Sequence, residues 1–184
     1  HGVALVQELG RGFTSNGRDT SVTMFDLKTF QTLARVRVGL QPDAIVYDAA
    51  SKRVFVMNVG SDDASAIDPA TGTVVGTVAL GGRPEVAACD GAGRMYVNLE
   101  DSSKVVSVDT RMLEVLGRWS LSPGEEPTGI ALDRAHSRLF SACGNNKLVV
   151  SDVVKGRVVA VLPIGSRVDG AGFDPMQGLA WSSN

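Results

Sequence analysis

Carboxylates and arginines recur in this chain at fixed places in a repeating unit, and their spacing sets the chemistry open to them. Asp43, Glu85 and Thr128 each follow a proline, and the matching positions in the flanking repeats are His1 and Asp169. Four of these five side chains can carry charge or hold a cation. Arg83 and Arg167 stand two residues before Glu85 and Asp169. A polar ring of this kind at one mouth of a channel suits a cation or a small polar ligand. A solvated loop rim is the plainer alternative. The acidic run Ser61-Asp62-Asp63 lacks the ligand spacing and the closing Glu of a calcium loop, and reads as loop solubility.

Nothing else points to catalysis. The two histidines, His1 and His136, have no motif partner, and there is no G-x-S-x-G, H-E-x-x-H or C-x-x-C. Gly91-Ala92-Gly93 falls in a hairpin turn and not before a helix, so it implies no phosphate cradle. Cys89 and Cys143 fit no metal spacing; two buried free thiols are the preferred reading, a disulfide between them the alternative. The expectation is a protein that is not an enzyme and has no cofactor and no bound metal. A net charge of −2 with interspersed signs offers no basic field for a phosphate backbone. No apolar run approaches the roughly 20 residues that span a bilayer.

The elements that position these residues follow from an internal period. Phe13, Phe55, Tyr96, Phe140 and Trp181 fall 42, 41, 44 and 41 residues apart. Asp26, Asp68, Asp109 and Asp152 step by 42, 41 and 43, and Asp48, Asp90, Asp133 and Asp174 by 42, 43 and 41. Cutting before the recurrent proline gives repeats 1–41, 42–83, 84–126, 127–167 and an incomplete 168–184 within one domain. The second repeat reads as strands over 44–47, 53–58, 64–67 and 74–80, with turns between them. No window holds a 3.6-residue apolar period. Four antiparallel strands in about 42 residues form one blade of a β-propeller, so the expected fold is all-β, four complete blades and part of a fifth.

Within that frame, Asp26, Asp68, Asp109 and Asp152 should cap the hairpin between the third and fourth strands, with Gly72 supplying a positive φ. Phe13, Phe55, Tyr96, Phe140 and Trp181 should be core residues packed between blades. Arg11, Arg53, Arg94 and Arg138 each precede an aromatic residue by two. Packing or pairing between blades suits them better than a nucleic-acid stacking platform. The recurrent Asn should satisfy turn backbone groups.

Phe13-Thr14-Ser15-Asn16, Phe55-Val56-Met57-Asn58 and Trp181-Ser182-Ser183-Asn184 share an aromatic-x-x-Asn pattern, which Tyr96-Val97-Asn98 shortens and Phe140-Ser141-Ala142-Cys143 lacks. With segments such as Val38–Ile45 and Leu80–Val86, the whole chain resembles the YVTN family of β-propeller repeats, similar to YncE-like bacterial proteins. The resemblance implies a seven-bladed ring, export to the periplasm or the cell exterior, and a binding function, with single-stranded DNA as the ligand of some relatives. Haem, quinone-linked and lactonase activities occur in distant kin, but none of their motifs can be matched here. The expected function is therefore a non-enzymatic ligand- or partner-binding scaffold that uses the loop face around the channel. Single-stranded nucleic-acid binding and a fragment of an extracytoplasmic enzyme are the alternatives.

Seven units of this length need about 290 residues. The reading therefore expects either part of a longer ring or self-association through open blade edges, with uncovered apolar faces at both ends. No charged and apolar leader segment opens the chain at His1.

Overall fold

Short strands bounded by Asp- and Gly-containing turns fold here into successive antiparallel sheets. The computed structural model describes residues 2–184. Unit 1 comprises β1 (Val3–Val6), β2 (Arg11–Asn16), β3 (Ser21–Asp26) and β4 (Thr32–Arg37). Unit 2 comprises β5 (Pro42–Asp48), β6 (Arg53–Asn58), β7 (Asp63–Asp68) and β8 (Thr73–Ala79). Unit 3 comprises β9 (Pro84–Cys89), β10 (Arg94–Leu99), β11 (Lys104–Asp109) and β12 (Glu114–Ser120). Unit 4 comprises β13 (Pro127–Asp133), β14 (Arg138–Cys143), β15 (Lys147–Asp152) and β16 (Arg157–Pro163). Unit 5 has β17 (Ala171–Asp174) and β18 (Leu179–Ser182).

Each of the first four units is a four-stranded meander, and the fifth is a two-stranded sheet. The first strands touch in series, β1 to β5 to β9 to β13 to β17, and so do the fourth strands, β4 to β8 to β12 to β16. The sheets therefore stack face to face around a common axis as β-propeller blades. That stacking explains why β6, β7, β10 and β11 are buried along nearly their whole length, whereas β8 and β12 are largely exposed. A sheet covered on both faces favours unbroken apolar runs over alternation.

The aspartates define the hairpins. Asp109 Oδ1 accepts bonds from the Arg111 and Met112 amides, both at 2.8 Å. Asp26 accepts from Lys28 and Thr29, Asp68 from Ala70, and Asp152 from Val154 and Lys155. Backbone donors hold all four carboxyls below their ordinary range. Four residues after each Asp the chain turns left-handed. Gly72 (φ 71°) and Gly156 (φ 60°) meet this at no steric penalty, but Phe30 and Leu113 adopt it too, both at φ 59°. A register shift follows in each third-to-fourth-strand ladder, as between Ser107 and Val108. Where unit 1 has Val6 in place of the first-hairpin Asp, a 3₁₀ turn over Gln7–Leu9 closes the hairpin, ending on Gly10 at φ 62°.

The core lies between blades. Phe13 and Phe55 are fully buried and Tyr96 is 2% exposed, whereas Phe140 is half-buried and stacks on Phe173 at 5.7 Å. Trp181 departs from the core expectation at 54% exposed, because none of the described sheets covers that face of unit 5. Both end faces expose apolar side chains, as expected, and unit 1 adds polar contacts to its own. On the outer face of unit 1, Asn16 donates to Ser21 Oγ (2.9 Å) and Thr23 Oγ1 (3.0 Å), and Arg35 pairs with Asp19 at 2.7 Å. The Phe25 ring lies over Gly12 there, leaving no room for a Cβ. Val3 (57% exposed) and Leu5 (46%) alternate with the buried Ala4 and Val6 and also face outward there. Unit 5 exposes Leu179, Trp181 and Met176.

The recurrent Asn also acts differently from expectation. Asn58, like Asn16, bonds side chains of the third strand (Asp63 Oδ1 and Ser65 Oγ), and not turn backbone. Asn98, one residue early, crosses to the Gly129 carbonyl at 3.0 Å and accepts from Ser141 Oγ, joining units 3 and 4. Among the described residues no helix is long and apolar enough to cross a membrane.

Candidate functional site at the channel mouth

The connecting loops between blades gather on one face, and the second-to-third-strand loops tie them down there. Leu40 N–H donates to Ser61 Oγ (3.1 Å), Arg83 N–H to Asp101 Oδ1 (3.0 Å) and Glu125 N–H to Asn145 Oδ1 (3.1 Å). Each first strand starts from this rim. Residues one past the connecting loop therefore converge even though some 42 residues separate them in sequence.

Asp43, Glu85 and Asp169 line one depression of about 350 Å³ with Gly2, Val3, Ala44, Ile45 and Val86. Its lining mixes the three carboxylates with the apolar Val3, Ala44, Ile45 and Val86. His1 lies outside the described residues. Thr128 does not join this lining: its hydroxyl lies 3.4 Å from the Ala142 carbonyl and 3.3 Å from that of Val168, linking units 4 and 5. The adjacent Gly129 explains why those units meet so closely. A Cβ there would fall 2.5 Å from the Gly170 carbonyl carbon and 2.6 Å from the Ala171 nitrogen. Arg167 is exposed at φ 63°.

Glu85 is the unusual group. Burial raises its pKa to about 7, with the Glu100 carboxylate as the next cause, Asp43 adding to the rise and Arg83 opposing it. Arg83 reaches Glu100 at 3.0 Å and Glu85 at 3.8 Å, so it serves Glu100 first. Glu85 and Glu100 thus share a neighbouring cation, and the nearby Glu100 carboxylate helps burial hold Glu85 up at about 7. Glu100 was visible in the sequence only as the start of a loop. Its place beside Glu85 follows from the β9–β10 pairing, which brings Leu99 opposite Pro84. Among the described residues no group of three or more His, Cys, Asp or Glu is placed to hold a metal ion. The carboxylates are spread around the depression and do not converge on one point.

The other chemically notable residues lie elsewhere. Cys89 and Cys143 are free and buried, with burial raising their thiols to about 12 and about 11. His136 is exposed in its turn, with Nδ1 2.6 Å from Asp133 Oδ2. Arg11 Nη1 donates to the Pro69 carbonyl (2.6 Å) and to that of Ala70, and Arg53 Nη1 to Thr110 (2.8 Å) and Arg111 (2.9 Å). Each arginine clamps the third-to-fourth-strand turn of the following blade. Arg94 borders a recess with Val153 and Val154 of the corresponding turn in unit 4.

Stacked four-stranded meanders around an axis, with loops converging on one mouth, define a β-propeller. No family model and no curated protein sequence matches the chain. Among solved structures 1532 chains do match, so the architecture is widely shared and carries no single function. One is Kuenenia stuttgartiensis hydrazine synthase, with a TM-score of 0.85 and 22% sequence identity over 96% of this chain and 53% of that one. The present chain thus spans about half the length of that protein. At this identity the likeness shows the fold alone.

Proposed function

We propose that the chain is a non-catalytic binding module that seats a small cationic ligand, or a lysine or arginine side chain of a protein partner, at the channel mouth. The observation that carries this reading is that Asp43, Glu85 and Asp169, from three separate blades, line one depression together with apolar side chains. An ammonium on a short alkyl stem fits that combination, since the stem meets Ile45 and Val86 while the charge meets carboxylates. The hydrazine synthase likeness adds the scaffold to this reading and none of the chemistry. We also propose kinship with the YVTN repeats and a place outside the cytoplasm. The aromatic-x-x-Asn pattern supports the kinship, and the place follows from the kinship.

Calorimetry with spermidine as the probe tests the site. The expected result is binding that weakens at least fivefold in Asp43→Asn/Glu85→Gln and falls with salt. Absence of heat at millimolar spermidine overturns the cationic reading. Tight binding of a single-stranded oligonucleotide with a steep salt dependence would favour phosphate recognition instead.

A further inference from the structure

We propose that the recess between units 3 and 4, on the face opposite the channel mouth, is a binding site for a small organic carboxylate. Both blades that form it are complete and have neighbours on both sides. The recess, about 370 Å³, opens where a recurring contact of this fold is left unmade. At the two preceding junctions Arg11 and Arg53 each give Nη1 to two carbonyls of the next blade's third-to-fourth-strand turn. Their counterpart Arg94 leaves the Val153 and Val154 turn unclamped, and both valines line the recess with it. A hydroxyl competes for this guanidinium. Tyr96 stands where units 1 and 2 have Phe13 and Phe55. Burial raises the Tyr96 pKa, and Arg94 beside the hydroxyl opposes the rise.

A second guanidinium completes the site. Arg134 lines the same recess, and its position after the first-hairpin Asp is held by Ala49, Gly91 and Pro175 in units 2, 3 and 5. Its Nε (3.2 Å) and Nη2 (2.9 Å) both donate to the Cys89 carbonyl, which fixes the plane of the group and leaves Nη1 for a ligand. Arginine forks match carboxylate oxygens in both geometry and charge. The carboxylate in the lining is Asp90, whose Oδ1 is taken by the Ala92 and Arg94 amides at 2.7 and 2.9 Å. Asp109, also within reach of Arg94, is held by its own turn amides and has Arg111 beside it. Two guanidiniums against Asp90 leave one positive charge, which a monoanion balances and a phosphate dianion exceeds. Tyr96, Leu132 and Val153 add apolar wall, so the anion carries a small apolar body.

Calorimetry on the full chain at constant ionic strength, with sodium benzoate as the probe, tests the site. One saturable site per chain is expected, weakened at least fivefold in Arg94→Gln and likewise in Arg134→Gln. Val154→Glu, at a position 75% exposed, should abolish binding and leave the circular dichroism unchanged. Absence of binding at tens of millimolar benzoate overturns the proposal, as does unchanged affinity in both arginine variants. Benzyl alcohol binding as tightly as benzoate overturns it too, because the charge would then contribute nothing. Phenyl phosphate binding at least tenfold tighter than benzoate overturns the carboxylate assignment in favour of a phosphate monoester. Spermidine binding at the channel mouth should be the same in Arg94→Gln as in the unsubstituted chain, so the two sites fail or stand separately.

Discussion

Replacing Asp109 by alanine tests the turn chemistry that sets the blade repeat. The carboxylate is half-exposed and accepts two amide bonds of 2.8 Å from Arg111 and Met112. Bonds to an ionised acceptor are each worth about 1.5–3 kcal/mol when buried, but water competes at this turn. Losing a side-chain cap typically costs about 0.5–2 kcal/mol, and with two donors stranded we expect about 1.5 kcal/mol. In a domain of this size that shifts the melting temperature by about 3–6 °C. The Met112 amide is the largest cause of the lowered Asp109 pKa, with the Arg111 amide adding to it. A depressed carboxyl contributes stability that is present above its unfolded pKa of about 3.9 and is lost as pH falls through the folded value. Urea melts at pH 7 and pH 3 should therefore show the Ala penalty shrinking in acid. Asp109→Asn keeps an acceptor oxygen, so it should retain most of the stability and lose this part of the pH dependence. A penalty below about 0.3 kcal/mol at pH 7, or an Asn variant as weak as the Ala variant, would refute the capping argument.

Two further outcomes follow from burial and charge. Phe55→Ala should destabilise by roughly 3–5 kcal/mol in denaturant melts, since the ring is wholly enclosed between units 2 and 3, whereas Trp181→Ala should cost less than about 1 kcal/mol. Glu85 has a folded pKa raised to about 7, so its contribution to stability is full below the unfolded carboxylate value and is lost as pH rises through about 7. Glu85→Gln should flatten that decline, and a stability profile between pH 5 and 8 identical to that of the unsubstituted chain would contradict the shift.

The repeat, the fold class and the turn caps were legible in the residues because each depends on local rules. An Asp two residues before a turn amide, or a Gly where φ must be positive, acts within four or five residues of itself. Phe30 and Leu113 show the limit even there: their left-handed backbone is imposed by the bulge that their neighbours form and leaves no compositional sign. The polar ring was half legible. Asp43, Glu85 and Asp169 share a depression because first strands converge, as their equivalent sequence positions suggested. Thr128, equally equivalent, is drawn toward Val168 by the close approach at Gly129, and Glu100 enters through strand pairing. The fate of the aromatic series was decided by tertiary structure alone. Phe55 and Trp181 occupy the same place in the repeat, yet one is sealed and the other open, because burial depends on which sheet lies opposite and not on the residue that faces it.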